Sequence, residues 1–224
     1  MKTILKVLVG SRLHGLNNDA SDYDWRGIFV VPLMDIVSPF RKQAANHWIE
    51  GKEDQTSYEL SHYVKLAAQC NPTILETLWS PIIKEKDPVA DEMIDKRFEF
   101  LDSDRIYFSH LGYSQNQIKK MDLYNPDSVR TPKTIIAYIR TLRQATELLR
   151  DGDFNPVYEY SDKDFLMEIK YNFNVALIPH ISEKMHEVRE DLENVYKNSK
   201  LDLKPNIEWI EDYLMRTYFK GKLK

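Results

Sequence analysis

The segment running from Ile4 to Val31 constrains the fold more than any other part of the chain. Residues 4–9 (Ile-Leu-Lys-Val-Leu-Val) read as a short buried strand that stops at Gly10-Ser11. A turn-rich stretch follows, with Gly15, Asn17, Asn18, Asp19 and Ser21. A second strand then begins at Tyr23 and ends in Ile28-Phe29-Val30-Val31, closed by Pro32. The opening residues are a poor signal peptide, because Lys6 breaks their apolar stretch and no Ala-x-Ala cleavage pattern follows; a strand is the better reading. Two carboxylates, Asp22 and Asp24, stand at the head of the second strand. A period of two puts both on one face, with Tyr23 on the other.

Beyond residue 32 the pattern is mixed at first. Residues 40–57 are irregular, with a third strand expected near Trp48-Ile49 and a fourth near Asp54. Leu60, Tyr63, Val64 and Ala67 have helical spacing, Asn71-Pro72 ends that helix, and a short helix is expected over 73–79. From about residue 88 strand-like runs vanish. A stripe at Ile135, Ile139, Leu142 and Leu149 marks a helix over 132–150, opened by Thr131-Pro132 and closed before Gly152. A second helix runs over 182–198, with apolar positions Met185, Val188, Leu192 and Val195. The last, 206–218, is expected to bury Ile207, Ile210 and Leu214. The class is therefore α+β: a small mixed sheet over 1–90, followed by an α-helical domain over 91–224.

Composition excludes several alternatives. Hydrophobic residues at 42% and charged residues at 29% are those of a globular chain and not a disordered one. No apolar run approaches the roughly 20 residues a bilayer span needs, so no membrane partner is expected. Cys70 is the only cysteine, which rules out an internal disulfide and fits a reducing cytoplasm. A net charge of −4 argues against broad coating of nucleic acid, but leaves room for a nucleotide held through bound cations.

The carboxylate pair carries the chemistry. Two hard oxygen donors converging on one point suit Mg²⁺, or Mn²⁺, with waters and phosphate oxygens as the remaining ligands. Gly10 lets the backbone approach a triphosphate closely, and the Ser11 hydroxyl and exposed N–H groups can donate to its oxygens. Two commoner glycine loops are excluded. Gly10 and Gly15 have the first spacing of a P-loop, but Leu16-Asn17 stand where Lys and Ser or Thr are required. A dinucleotide fingerprint needs a third glycine, which is absent. The plainer alternative is that Asn, Asp and Ser cluster here only because loops favour them; the preceding Gly-Ser weighs against it.

The string GSRLHGLNNDASDYDWRGIFV resembles the GS-x-x-x-G…SD-x-D-x-x-G core of the polymerase-β-like nucleotidyltransferases, and most closely the predicted nucleotidyltransferases associated with RNA ligases. The similarity extends through Ser57-Tyr58-Glu59-Leu60 and Asn71-Pro72-Thr73-Ile74-Leu75-Glu76, then weakly from Lys133 to Leu149. The chain departs from that group in having Ala137 where a His usually lies and Ser61-His62 where Arg-Lys is common. The resemblance implies a palm-like catalytic domain over 1–90 and a substrate-binding or lid domain over 91–224. It implies that Asp22 and Asp24 hold two metal ions, with a third acid on a neighbouring strand that serves as ligand and base. Asp54 is the first candidate for that acid and Glu59 the second. Thr56-x-x-Glu59 also has the spacing of a capping box for the helix carrying Leu60 and Tyr63.

The residues expected to hold the nucleotide are Gly10, Ser11, Arg12, His14, Gly15 and Ser21. Lys133 and Arg140, seven apart on one helix face with Arg143 at its edge, are expected to clamp a phosphate, although a solvated charged face is the plainer reading of such a row. The activity expected is transfer of a nucleoside monophosphate from an NTP, with ATP the default donor, to an acceptor hydroxyl. An RNA end is the first choice of acceptor, ahead of a protein or small molecule. The alternative is a non-catalytic nucleotide-binding or antitoxin-like module that keeps the fold. His62, His110, His180 and His186 lack metal-ligand spacing and are expected to be structural or exposed.

Overall fold

The computed structural model describes residues 1–38, 40, 45–50, 53–122, 130–158 and 160–220. In chain order these form β1 (Lys2–Val9), α1 (Gly10–Leu13), β2 (Tyr23–Val30), α2 (Leu33–Val37), β3 (Ala45–Glu50) and β4 (Glu53–Glu59). Next come α3 (Leu60–Ala68), α4 (Pro72–Trp79), β5 (Ile83–Lys86), α5 (Pro88–Asp95) and a 3₁₀ turn at Arg97–Phe100. The remainder is helical: α6 (Ser103–Ile118), α7 (Arg130–Asp151), α8 (Tyr160–Asn172), a 3₁₀ turn at Val175–Leu177, α9 (Ile178–Asn198) and α10 (Ile207–Lys220).

By contact the chain falls into two compact units. The first comprises Met1–Gln69, Thr73–Leu101 and the segment from Lys204 onward; the second comprises Cys70–Pro72 and Asp102–Leu203. The first holds a five-stranded sheet in the order β3-β4-β2-β1-β5. The β2–β4 pair is parallel and the other pairs are antiparallel, so the sheet is mixed and the class is α+β. Register places Val9 beside Asp24, and Asp24 beside Asp54. Ile4, Leu5, Val7, Ile28 and Phe29 are buried, as are Leu60, Tyr63, Ile74 and Leu75 of the helices. Helix α3 packs against β2 and β4. Each such side chain contributes about 1.5–3 kcal/mol of hydrophobic stabilisation. The Tyr63 hydroxyl donates to the Ile74 carbonyl at 3.0 Å, which ties α3 to α4 through the interior. Burial drives that phenol well above its usual pKa.

Two features of this unit depart from the expected division at residue 90. Residues 91–101 stay with the strands, because Met93, Phe100 and Leu101 are buried. Helix α10 also belongs here. Its Arg216 makes paired bonds to the Glu92 carboxylate at 2.6 and 2.9 Å, and its Tyr213 hydroxyl donates to the Val89 carbonyl at 3.0 Å. The expected buried stripe on α10 is corrected accordingly: Ile210 is buried, Leu214 is half-buried and Ile207 is 47% exposed at the first turn, while Tyr213 is the other buried side chain. Strand β5 was not foreseen; all four of its residues are exposed, so it lacks the apolar alternation that announces a strand.

The second unit is built around α7, which contacts α6, α8 and α9. Ile135, Ile139, Leu142, Ala145, Leu148 and Leu149 are buried on it, and Thr131, Thr134, Thr141, Gln144 and Thr146 are buried too. Polar side chains survive there because they bond locally: Thr134 and Thr146 donate to carbonyls one turn back, and Gln144 donates to the Pro72 carbonyl at 3.2 Å. Asp102 caps α6 by accepting from the Arg105 amide at 2.9 Å. Cys70 is buried with its thiol pushed up to about 12 by desolvation, which makes it inert packing and not a reactive group. No helix among the described residues is long and apolar enough to cross a membrane.

Candidate active site

Strand β1 runs out at Val9, and the chain turns at once into the single helical turn α1. The turn needs a left-handed residue, and Gly10 supplies it with φ of +68°. A Cβ on Gly10 would stand 2.0 Å from Oδ2 of Asp24, so the Asp24 carboxylate lies against the glycine itself. The expected role of Gly10 in admitting a close approach therefore applies first to a side chain of this chain. Gly10→Ala is expected to lower the unfolding free energy by about 1–3 kcal/mol from the positive φ alone. The clash adds to that loss and expels the carboxylate from its place. A thermal melt checks the prediction, with a midpoint shift of roughly 2–4 °C per kcal/mol expected for a chain of this size.

The loop after α1 is tied down by its own polar groups. Asn18 Oδ1 accepts from the Ala20 amide at 3.0 Å and from the Ser21 hydroxyl at 3.1 Å, while Ser21 Oγ accepts from the Asn18 amide at 3.0 Å. Ser21 thus uses its hydroxyl within the turn. Arg12 reaches across from α1 and donates to the carbonyls of Ser21 at 2.8 Å and Asp22 at 3.1 Å. Its guanidinium lies 3.8 Å from the Tyr23 ring centroid. The first duty of this cation is to hold the loop that presents Asp22. Gly15 also takes a left-handed conformation, with φ of +69°, and Leu16 donates back to the Ser11 carbonyl at 2.8 Å.

His14 lies deeper than the other candidate residues of the loop. It is only 2% exposed, and its Nε2 stands 3.6 Å from the Glu76 carboxylate of α4. Its place is beneath the loop, linking it to α4. Glu59 is corrected in its capping role. Thr56 lies inside β4, and Glu59 is itself the N-cap of α3. Its Oε2 accepts from the Ser61 amide at 2.8 Å and from the His62 amide at 3.4 Å, and the Tyr218 hydroxyl donates to Oε1. Burial, together with that bond, holds the Tyr218 phenol protonated far above its usual range.

Two of the carboxylates, Asp24 and Asp54, share one side of the sheet. Asp22 stands just outside β2 and is exposed; Asp24 is the second residue of the strand and is half-buried. Asp54 is the register partner of Asp24 on β4, about 4.8 Å away across the parallel pair, and neighbours in register point to the same face. Glu59 is five residues further along β4 and on the opposite face. Among the described residues no group of three or more His, Cys, Asp or Glu side chains is placed to hold a metal ion. The donor chemistry nevertheless fits a hard divalent cation: the Asp24 and Asp54 carboxylates are register partners on one face, with Asp22 at the head of the strand. Arg26, to which the sequence assigned no role, lies on that face two residues inside Asp24 and donates to the Thr73 carbonyl. The period of two that aligns Asp22 with Asp24 already places it there.

The remaining candidates lie elsewhere. Lys133 is exposed and Arg140 half-buried on α7, in the second unit. Arg143 is committed to Glu147 at 2.7 Å and Asp162 at 3.1 Å. His110 is buried, with its Nδ1 2.8 Å from the Ile106 carbonyl, and His186 is exposed.

Comparison with known proteins adds family information. The model of the RNA repair pathway DNA polymerase beta family matches residues 1–216. An uncharacterized 38.9 kDa protein from the nrdC-mobD intergenic region of Enterobacteria phage T4 is 31% identical over 132 residues, which cover 54% of this chain and 39% of that protein. The chain thus spans well under half the length of that relative. A solved nucleotidyltransferase-like protein of Exiguobacterium sibiricum overlaps 100% of this chain and 76% of its own, with 10% identity and a TM-score of 0.32.

Proposed function

This chain belongs to the RNA repair pathway DNA polymerase beta family, and on that premise we propose that it is a metal-dependent nucleotidyltransferase that moves an NMP from an NTP, ATP by default, to an acceptor hydroxyl, an RNA end first. The observation that carries the reading is the pairing of Asp24 with Asp54 in register, with Asp22 beside them at the head of β2. On this reading the three aspartates hold Mg²⁺ or Mn²⁺. Bound there, the metal supplies Lewis-acid chemistry: it neutralises triphosphate charge and lowers the pKa of the acceptor hydroxyl.

The residues of the chain do the rest. Gly10 keeps the Asp24 carboxylate seated at the end of β1. Arg12 fixes the Asp22 backbone. The Ser11 hydroxyl donates to the phosphates. The acceptor oxygen attacks the α-phosphorus, its proton passes to Asp54, and the bond from that phosphorus to the bridging oxygen breaks, releasing pyrophosphate. Lys133 and Arg140 of the second unit are proposed to contact phosphate.

The test is incubation of the protein with each labelled NTP, Mg²⁺ or Mn²⁺, and pooled RNA, with pyrophosphate and labelled RNA read together. Both products are expected in equal amounts. Binding of nucleotide with no pyrophosphate from any NTP and any acceptor would sink the catalytic reading.

A further inference from the structure

We propose that α4 is the positioning element of the aspartate site, acting through Glu76; the inference rests on the nucleotidyltransferase reading above and deepens it. Every residue of α4 from Ile74 to Trp79 is buried, so the helix is packed on all sides. A carboxylate is out of place there, because an apolar side chain of similar volume would avoid desolvating a charge. Glu76 faces His14, whose Nε2 lies 3.6 Å from the carboxylate and which is itself buried. One turn earlier on α4, the Thr73 carbonyl accepts from Arg26 of β2. Thr73 and Glu76 belong to the same compact unit as the sheet. Helix α4 thus receives a polar contact from each segment that presents the acids: His14 from the turn after β1, and Arg26 from β2.

The turn after β1 needs such an anchor. His14 closes α1, where its amide donates to the Gly10 carbonyl at 3.2 Å, and Leu16 returns to the Ser11 carbonyl at 2.8 Å. Gly10, Ser11 and Arg12 therefore move as one piece. Gly10 seats the Asp24 carboxylate, and Arg12 holds the Ser21 and Asp22 carbonyls. Ser11 is the phosphate donor of the proposed reaction. A single helical turn does not hold itself in place, because its few hydrogen bonds do not offset the ordering of its backbone. Burial of Leu13 helps, but hydrophobic contact has no direction and lets the turn slide. The imidazole–carboxylate contact has a direction and sets how the turn sits against β2. A shift of about 1 Å at the reacting groups is enough to cost a hundredfold in rate. His14 and Glu76 touch no reacting atom and are positioning residues.

The experiment compares Glu76→Ala, Glu76→Leu and Glu76→Gln in the full chain by amide hydrogen exchange, Mn²⁺ titration and single-turnover transfer. Leucine restores the packing, and glutamine restores a polar acceptor for the imidazole. The series therefore separates a packing role from a positioning one. In the Ala and Leu variants the amides of His14 and Leu16 are expected to exchange on the order of tenfold faster than in the wild type, while those of Ile28 and Phe29 in β2 stay protected. The Mn²⁺ concentration at half-saturation should rise on the order of tenfold and the transfer rate fall about 10–100-fold, with the acceptor KM within about twofold of wild type. Glu76→Gln should recover most of all three losses. Circular dichroism melts confirm that each variant is folded. Full recovery by Glu76→Leu, or wild-type exchange at His14 and Leu16 in a folded Glu76→Ala, overturns the positioning role. Faster exchange that leaves both the Mn²⁺ midpoint and the transfer rate unmoved overturns it too. A wild type that binds no Mn²⁺ and transfers to no acceptor defeats the catalytic reading alone, because the exchange series still decides whether α4 sets the place of the turn.

Discussion

Asp24→Asn is expected to reduce pyrophosphate release by about a thousandfold or more while leaving the fold intact. The size follows from what the carboxylate does. Losing one ligand charge from a metal-assisted phosphoryl transfer removes several kcal/mol of stabilisation, and each 1.36 kcal/mol is a factor of ten. The isosteric amide keeps the volume that Asp24 fills against Gly10, so a fall in rate cannot be attributed to a vacated space. Asp22→Ala should be nearly as damaging to the rate and milder still to stability, since that side chain is exposed at the end of its loop. Single-turnover release of pyrophosphate, read beside a thermal melt, separates the two effects. Wild-type rates in both variants would remove the aspartates from the active site altogether.

The parts of this site that were legible in the sequence are those written in local geometry. The Gly-Ser turn and the carboxylates at the head of β2 follow from hydrophobic runs and turn residues a few positions apart, whereas the strand of Asp54 lies in a polar, irregular stretch and its acid was singled out by resemblance. The structure adds a physical reason for Gly10, whose hydrogen makes room for the Asp24 carboxylate. What the sequence hid lies in contacts between distant segments. His14 meets Glu76 beneath the loop, and α10 returns to cap the sheet unit through Glu92 and Glu59. No short-range pattern encodes those partners. Strand β5 was illegible for another reason: its four residues are exposed, and only its pairing with β1 makes it a strand. Glu59 shows how a correct local signal can be assigned to the wrong partner. The spacing Thr56-x-x-Glu59 announces a helix start, but the chain stays extended through Thr56, and the glutamate caps the helix itself.

That distinction gives a second large effect, in which Asp54 and Glu59 exchange phenotypes. Glu59 is 2% exposed, and each of its oxygens is occupied: one by the amides of Ser61 and His62 and the Ser61 hydroxyl, the other by the Tyr218 hydroxyl. Glu59→Ala removes an N-cap worth about 0.5–2 kcal/mol. It also takes the acceptor from the half-buried Tyr218 hydroxyl, at about 1–3 kcal/mol. A loss of about 1.5–5 kcal/mol is expected, or roughly 3–20 °C in Tm. The latch that holds α10 against α3 weakens with it. Transfer by the fraction still folded should continue, because Glu59 lies on the face away from the aspartates and five residues from Asp54. Asp54→Asn should do the reverse. Its unfolding free energy should stay within about 0.5 kcal/mol of wild type, as for an exposed or half-exposed polar change. Its rate should fall by about 10²–10⁴, the usual contribution of a positioned base. Rates and melts measured together on both variants decide the third carboxylate. If Glu59→Ala keeps its Tm and loses transfer while Asp54→Asn remains active, the base is Glu59, and β4 presents its acid from the other face.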